Sequence, residues 1–235
     1  MIFERRAYTM EPGQVPAFDK AQTDRGFELV KSYMDRLVGY FSMRTGVTDQ
    51  VVHFYRYDSF EDWNKRLRGL YAVPELTPYF VNTRKLIRRQ VNGFYELLPV
   101  EALNPMWGGG NDWLPETGAK LGSLNSEKIV EERAFQLRPG GIPAFVEACN
   151  THGIKALATM DGRRIGAFMS MTGPLHNIML WWWFENAAER EARVAMLEAN
   201  TDWQVFISTI KTLLVDQSTL LMTPRPIPEM SPLFA

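Results

Sequence analysis

The chain has 235 residues, 46% of them apolar and 23% charged, with a net charge of −1. That composition suits a soluble globular protein with a buried core, and it excludes partners that demand clustered Lys and Arg, such as nucleic acid or an anionic membrane surface. The single cysteine, Cys149, excludes an intrachain disulfide and fits a reducing, cytoplasmic compartment.

The chain opens with an expected strand, Ile2 to Met10, with Glu4, Arg6, Tyr8 and Met10 on one face. Met1 to Arg6 carries no long apolar run after its basic residues, so it does not read as a signal peptide. Glu11-Pro12-Gly13 breaks the strand, and a helix is expected from about Val15 to Met34, weakened by Gly26. Strands follow at Leu37 to Arg44 and Gln50 to Tyr57. Ser59, with Asp62 three residues on, caps a second helix. A short helix reaching Arg88 and a fourth strand, Arg89 to Leu98, complete the order β-α-β-β-α-(α)-β.

That order is then repeated. Arg6-Ala7-Tyr8 through Pro16-Ala17-Phe18 matches Arg133-Ala134-Phe135 through Pro143-Ala144-Phe145 at a constant offset of 127 residues, from Arg6 to Arg133. The same offset carries Gly39 onto Gly166, Phe41 onto Phe168 and Pro99 onto Pro226. A unit this long is a domain, not a solenoid repeat. The expected organisation is residues 1–100, a linker over 101–125 and a second unit over 126–235. Trp107 and Trp113 are expected to pin the linker to a surface. Leu114-Pro115-Glu116-Thr117-Gly118 spells a sortase sorting signal, but no apolar span and basic tail close the chain, so it reads as coincidence. The longest apolar stretch, Ile178 to Phe184, is too short for a bilayer, which needs about 20 residues.

A split β-α-β order predicts an α+β class with two ferredoxin-like units. Their sheets, with aromatic residues on both faces, are expected to pack on each other as an intrachain dimeric α+β barrel. Phe18, Phe27, Phe41 and Phe54, with Phe145, Ile154, Phe168 and Trp181, are expected to face the helices. Whole chains are expected to form a homodimer.

Two spaced patterns resemble the NIPSNAP family. One is Glu4-x-Arg6-x-Tyr8-x-x-x-Pro12-Gly13, Gly39-Tyr40-Phe41 and Val51-Val52-His53-Phe54-Tyr55-Arg56-Tyr57. The other is Glu131-x-Arg133-x-Phe135-x-x-x-Pro139-Gly140 with Gly166-Ala167-Phe168. The resemblance implies the dimeric α+β-barrel fold. That barrel serves cofactor-free monooxygenases, small-lactone isomerases and haem enzymes, so the fold does not choose a reaction.

No GxSxG, CxxC, HExxH or P-loop motif is present, and no metal or cofactor is expected. The informative signal is a difference between the copies. His53, Tyr55 and Tyr57 stand where the second copy has Leu180, Trp182 and Phe184; Tyr40 and Arg44 stand where it has Ala167 and Met171. Polar groups in place of apolar ones must be satisfied or used. The expected site is therefore an inter-sheet cavity of the first unit, with His53 and Tyr55 as catalytic residues and Arg6, Tyr8, Tyr40, Arg44 and Tyr57 binding a small aromatic or apolar organic acid. Proton transfer or oxygenation without a cofactor is the chemistry such a set supports. The plainer readings are a hydrogen-bonded core histidine, a structural Glu4–Arg6 ion pair and tryptophans that only pack. With them goes the alternative of a non-catalytic scaffold acting through protein contacts.

Overall fold

The computed structural model describes residues 1–115 and 121–234, so residues 116–118 of the sorting-like motif lie outside the described part. It divides into two compact units that are not contiguous in sequence. The first comprises Met1–Phe94, Leu114–Ser126 and Thr223–Ala235; the second comprises Tyr95–Trp113 and Glu127–Met222. The simple cut into 1–100, linker and 126–235 therefore does not follow the packing.

In the first unit the elements are β1 (Ile2–Met10), α1 (Val15–Asp24), α2 (Lys31–Met34), β2 (Leu37–Met43), β3 (Gln50–Tyr57), α3 (Phe60–Tyr71), α4 (Thr77–Arg84) and most of β4 (Ile87–Leu97). The antiparallel sheet has the order β4-β1-β3-β2. Arg6 on β1 and Tyr40 on β2 are both register partners of His53 on β3. These three residues thus form one row across the sheet.

The second unit repeats the scheme with β5 (Ile129–Leu137), α5 (Ile142–Ala148), α6 (Ile154–Ala156), β6 (Arg164–Ser170), β7 (Asn177–Phe184), α7 (Ala187–Glu198), α8 (Thr201–Ile210) and β8 (Leu214–Pro224). Its sheet runs β8-β5-β7-β6, and the end of β4, Tyr95–Leu97, pairs with β6. The ferredoxin-like α+β class expected for each copy is what forms.

Local chemistry explains the differences from the sequence reading. The long first helix ends at Asp24 because Gly26 takes a left-handed φ of 75°. Its counterpart Gly153 has φ −58°, and a π-helical turn, Cys149–Gly153, carries the chain on into α6. Gly39 and Gly166 are required by close approach: a Cβ there would meet the rings of Phe41 and Phe168 at 2.4 and 2.7 Å. Ser59 and Asn186 accept hydrogen bonds from the amides of Asp62 and Glu189 at the starts of α3 and α7.

The two faces of each sheet are assigned the other way round from expectation. Phe18 of α1 meets Tyr8 and His53 at ring distances of 5.8 and 6.3 Å, so the His53 face is the one under the helices. Phe3 and Phe54 stack at 5.7 Å on the opposite face. In the second unit Phe145 of α5 packs on Phe135 at 5.5 Å, and Leu180, Trp182 and Phe184 join that helix-side core. Trp181 and Phe168 lie on the opposite face, where Phe168 also meets Trp107. Phe18 and Phe145 are thus helix-facing as expected; Phe41, Phe54, Phe168 and Trp181 are not.

Candidate functional site

The row Arg6–His53–Tyr40 sits beneath α1 and α4 of the first unit. A cavity of about 80 Å³ opens there, lined among others by Arg6, Tyr8, Gln22, Arg25, His53 and Tyr55, with Tyr79 and Thr83 from α4. The cavity is therefore on the helix side of the sheet, not on the face where the sequence reading put it.

The structure brings Arg6, Tyr8, His53 and Tyr55 to this one cavity. Tyr40 is near but otherwise engaged: its ring edge meets His53 at 4.7 Å, and its hydroxyl donates to Asp19 Oδ1 at 2.6 Å. Asp19 also pairs with Arg225 of the C-terminal tail. Tyr57 stacks on Tyr55 at 5.5 Å, one position behind it. Arg44 is excluded. It is exposed beyond the end of β2 and donates to the carbonyl of Ser126 at 3.3 Å.

Arg6 is committed to the fold. Its Nε and Nη2 donate to Glu4 Oε1 and Oε2 at 3.0 and 2.6 Å, and its guanidinium lies 4.9 Å from the centre of the Tyr55 ring. Asn92 completes the shell of Glu4 at 2.5 Å. The second unit has the same ion pair, Arg133 with Glu131, where no histidine is present. The pair is structural in both.

Sequence reasoning missed Arg25, Gln22 and Tyr79. Tyr79 donates to Gln22 Oε1 at 3.0 Å, and Arg25 lies 4.9 Å from the centre of the Tyr79 ring. Among the described residues, none hydrogen-bonds Gln22 Nε2, Arg25 Nε, His53 Nδ1 or His53 Nε2, although all four atoms are buried. The signal for two of the three was available. At the 127-residue offset Gln22 and Tyr79 become Cys149 and Phe206, just as His53 becomes Leu180. Phe135, Cys149, Leu180, Trp182 and Phe206 all belong to the packed core of the second unit. One copy of the duplication fills this space with apolar side chains, and the other lines it with polar ones. Trp182 and Phe184 fill it as expected; Met171 is only partly buried and lies outside that core.

Burial, then the charges of Arg6 and Arg25, holds the His53 imidazole well below its usual range. It is neutral at pH 7. Burial raises the phenols of Tyr8, Tyr55 and Tyr79, so these remain protonated donors. Around the cavity stand permanent guanidinium charges, neutral phenols and a neutral imidazole, with no carboxylate in the lining. Such walls favour an anionic group, and the imidazole is in the form that accepts a proton. Among the described residues no group of three or more His, Cys, Asp or Glu is placed to hold a metal ion. No helix of the described residues is long and apolar enough to cross a membrane.

The NIPSNAP family profile matches residues 3–101 and again residues 130–228, two segments separated by the same offset as the repeat. The chain belongs to the NIPSNAP family. It is similar over nearly its whole length to Protein NipSnap homolog 3B of Homo sapiens, with 25% identity over 232 residues, covering 95% of this chain and 83% of the relative. Two solved structures resemble this NIPSNAP chain in fold. One is a putative monooxygenase from Fusobacterium nucleatum, with a TM-score of 0.60 and 8% identity, covering 95% of this chain and 91% of that one. The other is an anthrone oxidase-like protein, with a TM-score of 0.57 and 11% identity, covering 95% and 91%. At such identities the likeness concerns the fold alone.

Proposed function

We propose that the helix-side cavity of the first unit binds a small organic acid and that His53 acts there as a general base. The observation that carries this reading is the set of four unpartnered buried atoms on Gln22, Arg25 and His53 around one cavity. A buried polar group without a partner costs roughly 1–3 kcal/mol, so a chain keeps several together only where something else completes them. A carboxylate accepts from Arg25 Nε and Gln22 Nε2, and Tyr8 and Tyr55 offer further hydroxyl donors. His53 then faces the carbon framework as a neutral imidazole and takes a proton from an acidic C–H or O–H of the ligand. Removal of that proton leaves an electron-rich anion, stabilised by the guanidinium of Arg25, since that of Arg6 is already paired with Glu4. That is the opening step of a cofactor-independent proton transfer or oxygenation; the two fold neighbours are named as a putative monooxygenase and an anthrone oxidase-like protein. The catalytic role thus rests on His53, with Arg25 added to the binding set and Arg44 removed from it.

One observation favours the second reading, a non-catalytic scaffold: about 80 Å³ is small beside the roughly 300–1,000 Å³ of common ligand sites. Calorimetric titration of the full chain with small aromatic and aliphatic monocarboxylates distinguishes the two. Saturable binding, weakened at least about tenfold in Arg25→Ala, is the expected result, from the loss of a charge-assisted hydrogen bond. If no such acid binds, the scaffold reading stands.

A further inference from the structure

A second opening lies next to this cavity. It measures about 300 Å³, is bounded by Phe27, Val30, Met34, Leu37 and prolines, with Glu28, Lys31, Asp35 and Glu229 also in its lining, and belongs wholly to the first unit. Met34 lines both openings. Its sulfur accepts from Arg25 Nη2 at 3.1 Å, and the Arg25 guanidinium lies 5.7 Å from the centre of the Phe27 ring. A flexible thioether in contact with the Arg25 guanidinium is therefore shared by the linings of the cationic cavity and the apolar pocket. Methionine is unbranched and changes rotamer at little cost.

The apolar pocket is a product of the Gly26 break. Where α1 stops and the chain turns, Phe27 and Val30 line this pocket. In the second copy the π-helical turn continues instead, and their counterparts Ile154 and Leu157 pack into the core. Met34 itself corresponds to Asp161. Both the polar cavity and the apolar pocket are thus lined at positions, Gln22, Tyr79, Phe27 and Val30 among them, whose second-unit counterparts pack into its core, and the two share Met34.

We propose that the two openings form one site and that its ligand is a monocarboxylic acid with an unbranched apolar tail. The carboxylate lies at Arg25 and Gln22, and Met34 swings aside to let the tail enter the pocket between Phe27, Val30 and Leu37. This rests on the acid-binding reading of the cavity and adds the class of acid. Join the two volumes and the site reaches the size range of common ligand pockets, which the cavity alone does not.

The test is a calorimetric series on the full chain with acetate, butyrate, hexanoate, octanoate and decanoate. Affinity should rise about fourfold per methylene until the pocket is filled. Met34→Trp should flatten that rise, and methyl hexanoate, which lacks the charge, should bind more weakly than hexanoate. In parallel, the Met34 methyl resonance of the unmutated chain should shift further on adding hexanoate than on adding acetate, a readout that does not depend on any variant folding. Binding of acids with no dependence on length, or no larger shift at Met34 with hexanoate, overturns this inference and leaves the carboxylate site standing. A length dependence that persists in folded Met34→Trp overturns it too, because the tail then lies elsewhere. Binding of no acid at all overturns both.

Discussion

Arg6 and Glu4 form a forked ion pair two residues apart on one strand, with Glu4 fully buried and Arg6 only 7% exposed. Neither charge is exchangeable for solvent. Glu4→Ala leaves a buried guanidinium unpaired and should destabilise the protein by about 3–5 kcal/mol, read as a lowered denaturant midpoint. A loss under about 1 kcal/mol would mean that water reaches Arg6.

His53 makes stability depend on pH. Its folded pKa lies below the unfolded value, so the unfolded chain binds the extra proton. The contribution is complete above about pH 6.5, the unfolded value, and is lost as pH falls below it. The expected slope from this residue approaches about 1.4 kcal/mol per pH unit. Melting temperatures between pH 7 and pH 5 should therefore fall less steeply in His53→Leu, which installs the side chain of the second copy. Equal slopes in both proteins would count against a buried neutral imidazole.

Phe54 is fully buried against Phe3. Phe54→Ala should cost about 3–5 kcal/mol by cavity formation. The face it occupies does not alter that expectation, since packing density and not the identity of the covering element sets the cost.

The caps give a matched pair. Ser59→Ala and Asn186→Ala should each cost about 1 kcal/mol, because each leaves one amide of the first helical turn without its acceptor. Glycine at either position should recover most of that loss.

The fold was legible because the chain states it twice. A constant offset across strands, helices and caps leaves few alternatives, and strand alternation sorts residues into two faces without help from packing. What alternation does not do is say which face the helices cover. In the second unit both faces are apolar, Trp181 on one and Leu180 and Trp182 on the other. In the first unit the His53 face is the more polar one and yet lies under the helices, so polarity does not label the sides correctly. The grouping of Arg6, His53 and Tyr55 was therefore recoverable, and the side of the sheet was not. Arg44 misled because it keeps the alternation of β2 one residue past the end of the strand. Arg25 stayed hidden because its counterpart, His152, is polar too, so the comparison of copies that exposes Gln22 and Tyr79 is silent there.

The interleaving of Tyr95–Trp113 and Thr223–Ala235 with the opposite units has an evolutionary reading. The tail gives its amides to β2, Arg225 to the Tyr40 carbonyl and Leu233 to that of Val38, while Leu98 gives its amide to the Ala167 carbonyl and the Asn104 side chain accepts from the Ala167 amide. Each copy of the ancestral gene now owes part of its backbone to the other. A segment that has been lent cannot be withdrawn by a single cut, so the fusion is entrenched. That one-way step frees the copies to diverge: with both always present in one molecule at one-to-one dosage, the second has closed its interior with tryptophan while the first keeps polar groups there.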